Sequence, residues 1–303
     1  MTPEKPQRAP DTVQLALPKG RIQEGVFSLL LEAGIRVTGG ARGYRPSVSL
    51  AGFEAKLLKT QNVVEMLALG SRDVGFAGAD WVAEKGADLI ELLDTGLDPV
   101  RLVAAAPPDT SLELLRSPRG PSRAGGRSEW VVASEYERLA QTWMGKQDVL
   151  GRPLRTYGAT EVFPPEDADV IVDNTATGAT LRANGLEIID ELMVSSTRLY
   201  ANPRAYEDPI KRPAIEALAL CLTAVVAARA RAMVELNVAR ADLPAIVEAL
   251  PCMREPTVSD LAGNSGYAVR AAVVRADLPE LVPALKARGA TDIVVSSCEQ
   301  IVP

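Results

Sequence analysis

From Val13 the chain reads VQLALPKGRIQEGVFSLLLEAGI: a short apolar run, a Pro-Lys-Gly-Arg turn, then apolar residues at helical spacing. Ile22, Val26, Leu29, Leu30 and Ala33 fall at i, i+4, i+7, i+8 and i+11, one face of a helix that Gly34 stops. In LLKTQNVVEMLALGSRDVGFAGADWVAEKG, Val63, Val64 and Leu67 fit a helix ended by Gly70. Asp73 to Phe76 fits a strand, and Asp80 stands where it would cap the helix that follows. Arg101 to Ala106 reads as a further short strand. Strands alternating with helices predict an α/β fold with a largely parallel sheet.

Pro107 to Arg127, rich in Pro, Gly, Ser and Arg, breaks this pattern and reads as a crossing into a second lobe plus a flexible loop. Strand then helix resumes at WVVASEYERLAQTWM, and strand, loop, helix recur in DADVIVDNTATGATLRANGL. The last third repeats itself. Arg240 to Leu250 matches Arg275 to Leu285 at eight of eleven positions, 35 residues apart. In both copies an alternating strand runs into an Asp cap, a first-turn proline and an apolar helix face, and Asp292 to Ser296 supplies another strand. This predicts a small ferredoxin-like β-α-β-β-α-β module, with Pro283 inside its second helix.

Composition narrows the chemistry. Of 303 residues, none is histidine. That excludes Ser/His/Asp and Cys/His nucleophilic schemes and imidazole-bound zinc. A net charge of −6 argues against a broad nucleic-acid-binding surface, but a small anionic ligand remains compatible with local positive charge. Cys221, Cys252 and Cys298 lie far apart and read as buried thiols in a reducing compartment. The polar, proline-rich first ten residues read as a disordered tail with no secretory h-region. The apolar run Ala217 to Ala228 is too short to span a bilayer, so a soluble cytoplasmic protein, with no membrane or nucleic-acid partner, is expected.

The strongest local signal is Asp169 to Asp173 followed by Asn-Thr-Ala-Thr-Gly-Ala-Thr180. A β-branched strand ends at a carboxylate, and small hydroxyl and glycine residues open a helix that stops at Asn184-Gly185. Free N–H groups there, with the hydroxyls of Thr177 and Thr180, suit a phosphate, while Asp173 can accept from sugar hydroxyls. The Gly-Lys-Ser/Thr ending of a Walker loop is absent. In the second signal, Leu17-Pro18-Lys19-Gly20-Arg21, two cations sit where a strand meets a helix start. Cations there oppose the helix dipole, which favours an anionic ligand. Glu161 and Asp80 are further polar candidates at turns, either of which could simply cap a helix. Trp81, Trp130 and Trp143 read as core or interface anchors.

Read together, LALPKGR (15–21), DVGFAGADW (73–81), GATE (158–161) and DNTATGATLRANGL (173–186) resemble the ATP phosphoribosyltransferase family from about Val13 onward. The repeat-bearing C-terminal part resembles that of the long form, which carries its own regulatory domain. The resemblance implies a two-lobed catalytic unit like periplasmic solute-binding proteins plus an ACT-like domain. Tail 1–10, a first lobe of 11–106 and 191–227, a second lobe of 107–190 and a regulatory domain of 228–303 follow. It implies that N1 of ATP attacks C1 of 5-phosphoribosyl 1-diphosphate, expelling diphosphate with Mg²⁺ present. By that likeness Ala176, Thr177, Gly178, Ala179 and Thr180 hold the 5-phosphate, Asp173 the ribose hydroxyls, and Lys19 and Arg21 the polyphosphate. Glu161 lies near the reacting centre, and Leu17, Pro18, Gly20 and Asp80 belong to the ATP side. Histidine is the implied inhibitor, with Leu261-Ala262-Gly263 as effector loop, and a homohexamer or dimer is the implied assembly. The chain departs from the family at Leu57-Leu58-Lys59, at Asn62-Val63-Val64 and at Glu137. A two-lobed ligand sensor without turnover is the alternative.

Overall fold

A computed structural model describes residues 11–39, 43–117, 129–253 and 255–302. The expected tail 1–10 and residues 118–127 of the expected loop lie outside the described residues. The described residues fall into two compact units, those up to Ser28 with those of Arg36–Glu216, and Leu29–Ile35 with those from Ala217 onward.

The first unit begins with β1 (Val13–Pro18), α1 (Gln23–Glu32), β2 (Val37–Thr38), β3 (Ser47–Val48), β4 (Phe53–Leu58) and α2 (Thr60–Ala68). Next come β5 (Val74–Gly78), α3 (Ala79–Lys85), β6 (Ile90–Ala106), α4 (Leu112–Leu115), β7 (Trp130–Ser134), α5 (Glu137–Lys146) and β8 (Gly151–Arg155). It closes with β9 (Val170–Thr175), α6 (Ala179–Ala183), β10 (Glu187–Ala201) and α7 (Pro203–Glu207), and α8 (Arg212–Arg229) leads into the second unit. Eight strands share one sheet in the order β4-β1-β5-β10-β6-β9-β7-β8. β4, β1 and β5 run parallel in one lobe, and β9, β7 and β8 run parallel in the other. Between them β6 and β10 pair antiparallel with each other, β10 also with β5 and β6 also with β9.

Arg101 to Ala106 is therefore the end of a 17-residue strand, not a short separate one. Its first half reads as loop in sequence because Gly96 and Asp98 take positive φ and Pro99 cannot donate, and the strand absorbs them as register shifts against Ser195 to Arg198. The strand expected to end at Asp173 runs on to Thr175.

Each lobe has its own core. Ala16, Val63, Val64, Leu67 and Ala77 pack under the first, with Tyr200 from β10. Leu102, Trp130, Val132, Tyr136, Trp143 and Val170 pack in the second. Burial of each such Leu, Val or Phe contributes roughly 1.5–3 kcal/mol. Trp130 and Trp143 are core anchors as expected, whereas Trp81 is partly buried and lies against Tyr136, ring centroids 4.7 Å apart.

The second unit carries β11 (Arg231–Val238), α9 (Leu243–Ala249), β12 (Thr257–Asp260), β13 (Tyr267–Val274), α10 (Leu278–Ala287) and β14 (Thr291–Ser297). The antiparallel order β12-β13-β11-β14 is the expected ferredoxin-like module. The repeat is structural: Val234, Leu236 and Val238 bury on β11 as Val269, Ala271 and Val273 do 35 residues on, and Ile246 and Leu250 match Leu281 and Leu285. Asp242 and Asp277 stand at the helix starts but make no side-chain cap, because both take helical φ/ψ rather than the extended conformation that turns a cap inward. α10 continues through Pro283. The cysteines depart from expectation: Cys221 is exposed on α8, and Cys252, against the core of the second unit, and Cys298, just past β14, are half-buried. Among the described residues no helix is long and apolar enough to cross a membrane.

Candidate active site

In a sheet of parallel strands, the ends where the strands stop are where loops from different strands meet. That geometry recurs in both lobes of the first unit. Arg21 follows β1, Thr60 and Gln61 follow β4, Asp80 and Trp81 follow β5, Glu135 and Tyr136 follow β7, and Asn174 is the penultimate residue of β9. With Asp98, Val100 and Ser195 to Thr197 from the antiparallel pair, they line one cavity of about 180 Å³.

The loop after β9 has the expected form. Gly178 takes φ 73°, which only glycine adopts without strain, and a Cβ there would stand 3.0 Å from Nη1 of Arg182. Ala176, Thr177, Ala179 and Thr180 are exposed, so the loop is open to a ligand. Two of its donors are already used: the Gly178 N–H donates to Oγ1 of Thr175 at 2.9 Å, and the Ala179 N–H to Oγ1 of Thr177 at 3.3 Å. Asn184 ends the helix as predicted.

Asp173 is mostly buried beside this loop. Burial is the largest influence on its carboxyl and, with the charges of Glu161 and Glu135, raises it from 3.8 to about 6 against the opposing Asn174 N–H, which donates to Oδ1 at 2.7 Å. Glu161 sits in a one-turn helix, Thr160–Val162, and caps nothing. Among the described residues no three carboxylates close into a metal cage.

Gly20 takes φ 103°, which lets the chain turn from β1 into α1. Lys19 and Arg21 are exposed; Nζ of Lys19 lies 4.8 Å from the Tyr44 ring centroid, and Arg21 faces the cavity. Leu17 and Pro18 are buried strand residues, so their side chains serve the core and only their backbone faces the turn.

Asp80 corrects the sequence reading most clearly. It does not cap α3, whose N-cap is Gly78. Instead Oγ of Ser195 donates to its Oδ1 at 2.8 Å and the Tyr136 hydroxyl to its Oδ2 at 2.6 Å, while its own N–H donates to Ser195 Oγ at 3.0 Å. Burial first, then the Asp80 charge, pushes the Tyr136 phenol far above its ordinary range, so it stays protonated. Sequence reasoning missed Glu135, Tyr136, Asn174 and Ser195 as site residues. The first three had a usable signal, their place at the ends of parallel strands. Ser195 had none, because only the antiparallel crossing of β10 brings it there.

In the second unit the predicted effector loop is a turn at Ala262–Asn264 following Leu261, with Gly263 at φ 79°. Arg240 clamps it: its guanidinium bonds Asp260 at 2.6 Å, the Tyr267 hydroxyl at 2.6 Å and Asn264, and stacks on the Tyr267 ring.

An exposed small-residue loop next to a largely buried carboxylate, in a two-lobed unit whose shared cavity Arg21 and Asn174 line, with a ferredoxin-like module downstream, defines an α/β unit built for a phosphate-bearing ligand. Comparison with known proteins gives the particular family. A family model described as ATP phosphoribosyltransferase matches residues 59–224, and the C-terminal domain model of the same family matches 228–300. The chain belongs to the ATP phosphoribosyltransferase family. It is 33% identical to ATP phosphoribosyltransferase of Chlorobaculum parvum, over 93% of this chain and 95% of that one. It is 34% identical to that of Pelotomaculum thermopropionicum, over 96% and 99%. The solved ATP phosphoribosyl transferase (HisG:HisZ) complex from Thermotoga maritima superposes with a TM-score of 0.57 at 25% identity, over 69% of this chain and 98% of that one.

Proposed function

We propose that this enzyme transfers the 5-phosphoribosyl group of 5-phosphoribosyl 1-diphosphate to N1 of ATP, releasing diphosphate, the first step of histidine biosynthesis. The observation that carries the reading is the open Ala176–Thr180 loop running straight on from half-buried Asp173, with Asn174 and Arg21 on one cavity. Ala176, Thr177, Gly178, Ala179 and Thr180 hold the 5-phosphate, Asp173 accepts from the ribose hydroxyls, and Lys19 and Arg21 face the polyphosphates. Leu17, Pro18 and Gly20 border the nucleotide through their backbone, and Glu161 stands near the reacting centre.

The reaction suits a chain without histidine. Adenine N1 is unprotonated near neutral pH, and diphosphate leaves as an anion that cations stabilise without a general acid. Mg²⁺ fits the site as a substrate-borne ion. The donors around Asp173 are hard carboxylate oxygens whose mutual repulsion a divalent cation relieves, yet they form no cage, and Mg²⁺ keeps waters and substrate phosphates as most of its ligands. Asp173 and Glu161 would help hold it there, and it would supply charge neutralisation of the departing diphosphate. Positioning two substrates between two lobes supplies the rest.

The regulatory reading extends to the second unit. Histidine acts there as feedback inhibitor, with Leu261, Ala262 and Gly263 in the effector loop that Arg240 holds. The assembly is a homohexamer or dimer, and the enzyme works in the cytoplasm. The donor site is tested by Thr177→Ala combined with Thr180→Ala. The pair should raise KM for 5-phosphoribosyl 1-diphosphate about tenfold, the loss of two hydroxyl contacts. Unchanged donor kinetics would move the phosphate site elsewhere.

A further inference from the structure

A buried chain of hydrogen bonds joins the two lobes of the first unit. Ser195 on β10, Asp80 in the first turn of α3, Tyr136 at the start of α5 and Asn174 on β9 come from four elements and take part in that order. Ser195 Oγ donates to Asp80 Oδ1 at 2.8 Å, the Tyr136 hydroxyl to Asp80 Oδ2 at 2.6 Å, and Asn174 Nδ2 to the Tyr136 oxygen at 2.8 Å. Tyr136 is wholly buried, and Ser195 and Asp80 are 1% and 5% exposed.

A phenol has one proton to give. Since Asp80 takes it, the Tyr136 oxygen can only accept from Asn174, which fixes which end of the Asn174 amide faces the tyrosine. The backbone N–H of the same Asn174 donates to Oδ1 of Asp173 at 2.7 Å. The chain thus runs from the nucleotide-side helix to the carboxylate that faces the ribose. Trp81, packed on the Tyr136 ring, holds the ring independently of its hydroxyl.

We propose that Tyr136 is a positioning residue that ties the phosphoribosyl loop to the nucleotide-side helix, with Asp80 acting through it rather than as a direct ATP ligand. This rests on the phosphoribosyl-transfer reading of the same site. It assigns no chemistry to the phenol: its part is to keep Asn174, and through it Asp173, in one orientation before the donor binds.

The test has two readouts on the full-length chain. Without substrate, hydrogen–deuterium exchange over residues 170–181 should quicken several-fold in both Tyr136→Phe and Asp80→Asn, although Asp80 lies 94 positions from Asn174 in sequence. Unchanged exchange in both overturns the proposal. In kinetics, Tyr136→Phe should raise donor KM about tenfold, the effect of leaving buried Asp80 and half-buried Asn174 each short of a partner, while KM for ATP stays within about threefold. A merely structural defect would instead lower kcat with both KM values unmoved. The effects of Asp80→Asn and Asn174→Ala on donor kcat/KM should be non-multiplicative, because the two side chains meet only through the phenol, and should become multiplicative in a Tyr136→Phe background. Multiplicative effects in the parent background overturn the proposal. Faster exchange in a protein that never turns over the donor would sustain the tie and overturn the transfer reading.

Discussion

Replacing Glu161 with glutamine should move the acid limb of the donor kcat/KM profile to lower pH. In the unmodified protein Asp173 is held at about 6 instead of 3.8, first by burial and then by the charges of Glu161 and Glu135, so ionising it costs roughly 2–3 kcal/mol more than in water. The sign follows from proton binding. A carboxyl raised in the folded state holds more protons than in the unfolded chain between about 4 and 6, so its contribution to stability is most favourable below 4. It is lost as pH rises, and the full cost stands above about 6. Function runs the other way, because only the ionised carboxylate accepts from both ribose hydroxyls. Donor kcat/KM, which reports the free enzyme, should therefore fall about tenfold per pH unit below about 6. The donor's own phosphate titrates too, but its titration cannot respond to a protein side chain. Profiles of the unmodified protein, Glu161→Gln and Glu135→Gln separate the two sources, whatever each substitution does to the plateau. A limb that stays in place in both variants refutes the reasoning.

Two further substitutions probe the frame that carries the site. Gly178→Ala forces a side chain into positive φ and against Arg182, which should cost about 1 kcal/mol or more locally and raise donor KM while leaving the second unit's thermal transition unmoved. Lys211→Ala strips the partner from Asp73, whose Oδ2 accepts from Lys211 Nζ at 2.8 Å and from the Gln14 N–H at 2.7 Å with 7% of the side chain exposed. Stability should fall by about 2–4 kcal/mol in calorimetry or denaturant melts, and adding Asp73→Asn should recover part of it by removing the stranded charge.

The sequence made the local elements legible wherever one face of a strand or helix is apolar. The loop after β9, the turn at Gly20 and the C-terminal repeat all declared themselves through residues whose roles are local: glycine at positive φ, proline in a first helical turn, alternation at period two. What it concealed depends on long-range pairing. β6 is hidden by Gly96, Asp98 and Pro99, which interrupt the apolar pattern although β10 pairs along the strand's length. The position of Asp80 at a helix start suggests a cap, and only the crossing of β10 and the approach of Tyr136 reveal that its carboxylate is spent between lobes. Residue type and wide spacing point to buried cysteines, yet neither fixes which face of an element a residue takes, and Cys221 lies exposed on α8.

The central claim is tested by mixing the purified protein with ATP, 5-phosphoribosyl 1-diphosphate and Mg²⁺ and following diphosphate together with the nucleotide product. The account predicts stoichiometric diphosphate and an ATP derivative ribosylated at N1, visible as a new near-ultraviolet absorbance that requires both substrates. Saturable binding of either substrate with no diphosphate at any enzyme concentration would contradict it and favour a two-lobed sensor.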